Sequence, residues 1–104
     1  MKPGMPIEIG GKKFVLPPLG LEGLKMTLDL QRRYAEMSEA EKMDANIETV
    51  HAALIRNYPD YTIEEMREEI DAHEVLALAA VMPSLYEKSG MRQRGEAKQG
   101  GKKK

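Results

Sequence analysis

The sequence predicts a mainly α-helical domain of about four helices, with an N-terminal β-hairpin and a disordered C-terminal tail. Three observations support this prediction. Apolar residues recur at three- and four-residue spacing through most of the chain, which is typical of amphipathic helices. Alternation of apolar and polar residues is confined to the stretch around two adjacent glycines near the N-terminus. Residues 87–104 contain almost nothing to bury, which is typical of a disordered segment.

Length and composition limit what the chain can be. A chain of 104 residues forms one domain, which buries about 60–70% of the surface that the unfolded chain exposes. It has no cysteine, so disulfides and thiol chemistry are excluded. The start, MKPGMPIEI, lacks the apolar run of a signal peptide, and the longest apolar run, residues 75–82, is far below the roughly 20 residues of a membrane span. We therefore expect a cytoplasmic protein that does not enter a membrane.

The net charge of −1 hides an uneven distribution. Residues 87–104 contain seven basic and two acidic residues, a balance of +5. Residues 1–86 contain nine basic and fifteen acidic residues, a balance of −6. The sequence therefore predicts a single folded domain at residues 6–86 with an acidic surface, between a flexible leader at residues 1–5 and the basic tail.

A β-hairpin is predicted at residues 6–16. Gly10 and Gly11 stand where a two-residue type I′ turn needs positive φ at both positions. This turn places Glu8 opposite Lys13, as a charge pair on the outer face. An isolated hairpin is only marginally stable, so we expect its apolar face to pack on helices. The residues of that face are Met5, Ile7, Ile9, Phe14 and Leu16.

The first two helices are predicted at about residues 20–37 and 39–58. Ser38 and Glu41 form a capping-box pattern, in which each side chain accepts a hydrogen bond from the backbone amide of the other residue. This pattern predicts where the second helix begins. Pro59 predicts where it ends, because the residue before a proline avoids the helical conformation.

The third and fourth helices are predicted at about residues 63–71 and 72–82. Thr62 and Glu65 repeat the capping-box pattern at the start of the third helix. The third helix could continue into the fourth, but we expect a break between them, because the apolar face changes direction there. Pro83 is expected to end the fourth helix.

The two histidines, His51 and His73, are the first candidates for a metal or catalytic site. They do not form the i, i+4 histidine pair of a helical zinc motif. A role for His51 as ligand or base would need a carboxylate, and only Asp44 and Glu48 are near in sequence. We interpret both histidines as structural and expect no catalytic residue, no metal and no cofactor.

The acidic residues between positions 60 and 74 are a second candidate, for acid–base or cation chemistry. They lie at the spacing of a solvated helical face and lack the loop that gathers oxygens around calcium. Their balance of seven acidic residues against Arg67 also repels DNA, which disfavours a helix-turn-helix. The basic tail lacks the aromatic residues of a nucleic-acid-binding segment. The acidic residues are Asp60, Glu64, Glu65, Glu68, Glu69, Asp71 and Glu74.

The apolar run VLALAAVM is more apolar than a surface helix of so small a domain requires. The chain also contains eight methionines, whose side chains adapt to varied helical partners. Part of the run must be ordinary core, and the remainder is a candidate protein-binding groove. The residues that we expect to contact a partner are Leu76, Leu78, Val81, Met82 and Leu85, with Leu54, Ile55 and Tyr58 as a second surface.

Three segments in order, IEIGGKKFVLPPLGLEGL, VHAALIRNYPDYTIEEMREEID and EVLALAAVM with a following SG, resemble the tail assembly chaperones of long-tailed bacteriophages. That family similarly opens with a hairpin around a "GGK" turn. It carries an "L-x-R-N-Y-P-D-x-T" helix end and an acidic helix after it. The resemblance covers about residues 6–90. His73 departs from the pattern, since the family often has proline before Glu-Val-Leu.

The resemblance implies a non-enzymatic protein that binds the tape measure protein and helps recruit tail-tube subunits during tail morphogenesis. It implies a location in the cytoplasm of the bacterial host and absence from the mature virion. It also implies a longer form made by programmed frameshifting, which a slippery purine run encoding residues 100–104 would permit. The alternatives that stay open are a small DNA-binding or antitoxin-like regulator and a structural tail subunit. A homo-oligomer also stays open.

Overall fold

The structure is a computed structural model that describes residues 1–91, and residues 92–104 lie outside the described part. Within the described residues, the predicted class of four α-helices behind an N-terminal hairpin is confirmed. None of these helices is long and apolar enough to cross a membrane. The elements are β1 (Met5–Ile9), β2 (Lys12–Leu16), α1 (Leu21–Arg33), a 3-10 turn (Tyr34–Glu36), α2 (Glu39–Leu54), α3 (Ile63–Glu69) and α4 (Ala72–Lys88).

The hairpin has the predicted turn and register. Gly10 and Gly11 have φ values of 61° and 78°, the positive values that a type I′ turn requires. Glu8 lies opposite Lys13, and the predicted apolar face is turned toward the helices, with Ile9 fully buried. The predicted charge pair does not form, because both side chains extend into solvent, where such a pair contributes little.

Helix α2 is the centre of the fold. It contacts β2 and all three other helices, and its contact with α4 is the most extensive between helices. Ile47, Val50 and Leu54 recur at three- and four-residue spacing along α2 and are buried, so the helical period identifies the inward face. The core consists of Ile7, Ile9, Leu16, Leu19, Ile47, Val50, Ala53, Leu54, Met66, Leu78, Met82 and Leu85.

All three predicted starts of α2, α3 and α4 are found. Ser38 and Glu41 form the predicted capping box, with amide-to-oxygen distances of 3.1 and 2.8 Å. Thr62 and Glu65 form the second, at 3.0 and 2.9 Å. The break before α4 is also present, because Ile70 is extended, with ψ 132°.

Helices α1 and α2 each end four residues earlier than predicted, and α3 ends two residues earlier, at Glu69. α1 stops at Arg33 and tightens into the 3-10 turn, since Met37 and Ser38 must be extended for the capping box, with ψ of 146° and 169°. α2 stops at Leu54 and continues as irregular turns, in which the amides of both Asn57 and Tyr58 bond to the Leu54 carbonyl. The α-helical hydrogen-bonding pattern therefore stops before the chain reaches Pro59.

The predicted end of the fourth helix at Pro83 is wrong. α4 continues through Pro83 to Lys88. A proline inside a helix removes one hydrogen bond, at a cost of about 3 kcal/mol. Here Pro83 and Ala79, whose carbonyl loses its donor, are both exposed, so water can reach that carbonyl. Two residues further on, Leu85 is fully buried and fixes the continuing helix against the core.

Both ends of the described chain are attached to the domain. Lys2 exchanges two hydrogen bonds with the Asn57 side chain, at 2.7 and 2.9 Å, so the predicted leader is held at this point. Ser89 Oγ accepts a hydrogen bond from the Leu19 amide at 2.8 Å. The tail predicted at residues 87–104 therefore does not begin at 87, and its remainder lies outside the described residues.

Candidate protein-binding surfaces

Four of the eight predicted contact residues belong to the core. Leu54 and Leu85 are fully buried, and Leu78 and Met82 are 2% and 5% exposed. These side chains lie where α2 and α4 pack against each other, so each apolar stripe is covered by the other helix. Leu54 and Leu85 are out of a partner's reach in the folded domain, and the prediction is corrected for these two residues. Leu78 and Met82 keep only small exposed areas, which belong to the linings of two surface grooves described below.

The other four predicted residues lie at or near the surface. Leu76 is 62% exposed and Ile55 is 38% exposed, so both are available for contact. Val81 and Tyr58 are half-buried against the core. Tyr58 already has an internal role, because its hydroxyl accepts a hydrogen bond from the Val15 amide at 2.8 Å.

The solvent side of α4 is apolar, and we call it the α4 outer face. It consists of side chains that recur at helical spacing, opposite the buried stripe, and all of them are exposed. Apart from Leu76 they are small or cyclic, so another helix could approach closely. The α4 outer face comprises Ala72, Leu76, Ala79, Ala80 and Pro83.

An open groove of about 400 Å³ adjoins this face, and we call it the tyrosine groove. It lies between α4, α2 and the end of α1, and Ala79 and Pro83 belong both to it and to the α4 outer face. Burial raises the pKa of the Tyr86 hydroxyl. The lining residues are Gln31, Tyr34, Asn46, Ala79, Met82, Pro83 and Tyr86.

A second open groove, of about 510 Å³, lies between the start of α1 and the end of α2. Its apolar residues include Ile55, which the sequence predicted as a contact residue, and Leu21, which is 65% exposed. Sequence reasoning missed Leu21, because its spacing to Leu24 and Leu28 predicts a buried stripe. The exposure of both Leu21 and Leu28 shows that this stripe is only partly covered.

The two histidines lie in different environments. His51 is half-buried, and its Nε2 lies 2.7 Å from the Tyr61 carbonyl oxygen, so it fastens α2 to the following turn. His73 is exposed at the start of α4. Within residues 1–91, no group of three or more histidine or acidic side chains is placed to hold a metal ion.

The acidic residues of α3 are engaged in structure or solvated. Glu64 and Glu68 are exposed, as predicted. Arg67 forms ion pairs with Asp44 and Glu48 on α2, which hold its pKa above the ordinary value and join the two helices. These are contacts at the protein surface, where an ion pair contributes up to about 1 kcal/mol.

Glu74 is the exception, since it was predicted on the solvated face and is only 4% exposed. Its carboxylate accepts hydrogen bonds from the amides of Gly10 at 2.7 Å, Gly11 at 3.1 Å and Asp71 at 2.9 Å. The Asp71 amide, with those of the two glycines, holds the pKa of this carboxyl below its usual range, although burial opposes the shift. Glu74 therefore fastens the hairpin turn to the start of α4.

The turn RNYPDY, the most distinctive part of the resemblance, also has a structural role. Asn57 bonds to Lys2, and Tyr58 to β2, as described above. The Tyr61 hydroxyl donates to Glu69 at 3.1 Å, and burial together with this carboxylate raises the pKa of Tyr61. Phe14 packs between both tyrosine rings, with ring centroids 5.2 and 5.1 Å away. The motif connects the hairpin, α2 and α3.

Comparison with protein-family models, curated proteins and solved structures found no match for this chain. Its function must therefore be argued from its own motifs and surfaces.

Proposed function

We propose that this protein is a tail assembly chaperone of the long-tailed phage type. In this role it binds the tape measure protein and helps recruit tail-tube subunits during tail morphogenesis. One observation carries the proposal on the structural side, namely the tyrosine groove together with the α4 outer face. The sequence resemblance over residues 6–90 supplies the identity of the partner.

The shape of this surface suits a helical partner. An amphipathic helix binds by inserting apolar side chains, spaced three or four residues apart, into a groove. The tyrosine groove can take such a side chain between Tyr34 and Tyr86, and the small residues of the α4 outer face leave room for the partner's backbone. Leu76, exposed at one end of that face, provides a further apolar contact.

The charge of the domain suits a protein that keeps an apolar partner in solution. Residues 1–91 contain ten basic and sixteen acidic residues, a balance of −6. Many of the acidic side chains lie on α3 and at the start of α2, and among the described residues none of them belongs to the lining of the tyrosine groove. A complex that covers the partner's apolar seam would therefore present a charged exterior, which favours solubility.

Co-expression with the tape measure protein of the same phage tests the proposal. We expect the full chain to keep that protein soluble, and both to elute as one complex with several chaperone copies. The variant Ala79→Arg places a long charged side chain in the tyrosine groove, and we expect it to lose the complex. Ala77→Arg is the matched control, because it makes the same change at an exposed alanine on a different side of α4.

Two results would contradict the proposal. One is a tape measure protein that stays insoluble while the wild-type chain elutes alone. The other is a complex that Ala79→Arg leaves intact, since the helix would then bind elsewhere. The presence of the protein in finished particles would instead favour the structural tail subunit. Binding to DNA that falls steeply with salt would favour the regulator.

A further inference from the structure

The two strands of the hairpin differ in how their outer edges are covered. The Val15 amide of β2 donates to the Tyr58 hydroxyl at 2.8 Å, and the Val15 carbonyl accepts from Asn57 at 3.3 Å. The outer edge of β2 is thus bonded to the turn after α2. No hydrogen bond of this kind, from any of the described residues, reaches the outer edge of β1.

The register shows which groups of β1 are free. Paired residues of an antiparallel hairpin alternate between those that bond to each other and those whose backbone points outward. Val15 points outward, so its register partner Pro6 does as well, and so does Glu8 two residues later. The edge of β1 therefore offers the Glu8 amide and the carbonyls of Pro6 and Glu8. Proline itself supplies no amide hydrogen.

A groove of about 230 Å³ lies beside this edge, between β1 and α4, and we call it the β1 groove. The buried residues Ile7 and Leu78 line its base, and Ala77 and Val81 form its apolar side. Its size suits one or two aliphatic side chains. The full lining is Pro6, Ile7, Glu8, His73, Glu74, Ala77, Leu78 and Val81.

The groove also has a charge preference. The Glu74 carboxylate is occupied by three backbone amides, so it is not free to bind a ligand. The Glu8 carboxylate is exposed and makes no ion pair among the described residues. A positively charged side chain opposite Glu8 would therefore complement the site, as opposite charges do on neighbouring strands.

We propose that β1 binds an extended segment of a partner protein as a third strand. The segment alternates apolar residues, which enter the β1 groove, with basic residues, which lie opposite Glu8. Strand addition of this kind derives its affinity from backbone hydrogen bonds and its specificity from pockets for alternate side chains. It goes beyond the proposed function, because the helical partner of that function uses the other side of α4.

A second copy of this chain does not fit the edge. Pairing two β1 strands about Glu8 sets the two Glu8 carboxylates opposite each other, and like charges in that position are destabilising. Pairing about Ile7 sets Glu8 of each copy opposite Pro6 of the other. In that arrangement half of the hydrogen bonds between the strands lack an amide donor, because proline has no amide hydrogen. A segment of a different protein avoids both obstacles, if it places a basic residue opposite Glu8 and has no proline in the paired stretch.

The test is a titration of the full-length, ¹⁵N-labelled protein with a short, end-blocked peptide of alternating lysine and valine, followed by NMR. We expect saturable shifts at the Glu8 amide and at Ala77 and Val81. The same peptide with N-methyl groups on its lysine residues lacks the amide donors that would face β1 and is expected not to bind. Saturation without any shift at Glu8 would overturn the proposal, and so would equal binding of the methylated peptide.

Two variants locate the bound peptide. Ala77→Arg is expected to weaken binding at least about tenfold, by filling the β1 groove and repelling the peptide. Ala79→Arg adds the same charge outside this groove and is expected to leave the affinity within about twofold. The reverse pattern would place the peptide in the tyrosine groove and refute the proposal. These results are independent of co-expression with the tape measure protein.

Pro6→Val provides a gain of binding that a misfolded variant could not produce. Valine favours strands and restores an outward amide donor at position 6. One additional backbone hydrogen bond is expected to tighten binding by about fivefold. Glu8→Lys is expected to abolish it, whereas Glu22→Lys, the same charge change on an exposed part of α1, is not. If Pro6→Val left the affinity unchanged, the peptide would not be using this edge.

Discussion

The two faces of α4 carry apolar side chains in opposite environments. The inner face presents Leu78, Met82 and Leu85 to α2, with exposures of 0 to 5%. The outer face presents Leu76, Ala79, Ala80 and Pro83 to solvent, and Leu76 is 62% exposed. Both are apolar in sequence. The difference shows that the position of α2, rather than the hydrophobicity of a residue, decides which side of this helix forms the core.

A direct comparison of the two faces comes from Leu85→Ala and Leu76→Ala. Leu85 is fully buried, and its truncation should lower the free energy of unfolding by about 3 kcal/mol through lost burial and a cavity. Leu76→Ala should change it by less than about 0.5 kcal/mol. Urea denaturation measures both. Equal losses would mean that the outer face is covered in solution.

The variant Glu74→Gln tests the hydrogen bonds between the Glu74 carboxylate and the three backbone amides. An amide cannot accept from three backbone donors as a carboxylate does, so the free energy of unfolding should fall by about 2 kcal/mol at neutral pH. Glu87→Gln, on an exposed part of the same helix, is the control and should have little effect.

The pH dependence of this difference gives a further check. The pKa of Glu74 is lowered in the folded state, so the ionised carboxylate stabilises the fold above its unfolded pKa of about 4.3. That contribution is lost as the pH falls through the lower, folded pKa. The gap between wild type and Glu74→Gln should therefore be constant near neutrality and shrink in acid. A gap that widened in acid would contradict this account.

The turn held by Glu74 can be tested at its two glycines. A Cβ at Gly10 would lie 2.9 Å from the Glu69 carbonyl oxygen, in a backbone conformation that also disfavours side chains. Gly10→Ala should therefore cost about 2 kcal/mol of unfolding free energy. Gly11→Ala has the same backbone strain in open space and should cost about 1 kcal/mol. Thermal unfolding measures both losses, and a larger loss for Gly11→Ala than for Gly10→Ala would contradict this account.

A modest gain of stability is expected on the outer face, at Pro83. Replacement by alanine restores an amide that can bond to the Ala79 carbonyl within the helix. The gain is partly offset, because alanine gives the unfolded chain more freedom. Pro83→Ala should raise the free energy of unfolding by about 1 kcal/mol. A decrease would show that the bend at Pro83 is needed for the packing of Leu85.

Local rules predicted most of the fold. The turn chemistry of Gly10 and Gly11 fixed the hairpin register, because a two-residue turn leaves only one pairing. The capping pairs at Ser38 and Thr62 located helix starts for the same reason, since they involve residues only three apart. Structural features that depend only on residues close together in the chain could therefore be predicted from the sequence.

Features that depend on distant residues could not be predicted in this way. The continuation of α4 past Pro83 depends on Leu85 reaching the core. The burial of Glu74 depends on two glycine amides 64 and 63 residues away. The contact residues predicted on α4 lie mostly on its inner face, because a run that is apolar on all sides gives no period by which to choose a face.

The contact between Glu74 and Gly10 also affects the order in which the chain can fold. The hairpin is synthesised before α4, and its turn amides therefore have no carboxylate partner until residue 74 has been made. Leu19, just after the hairpin, likewise waits for Ser89, which is 70 residues away. Because a lone hairpin is marginal in water, we expect the N-terminal strands to become stable only when α4 docks. The hairpin is thus among the last parts of the domain to fold. A nascent chain released before α4 is complete would lack the contacts that hold its hairpin.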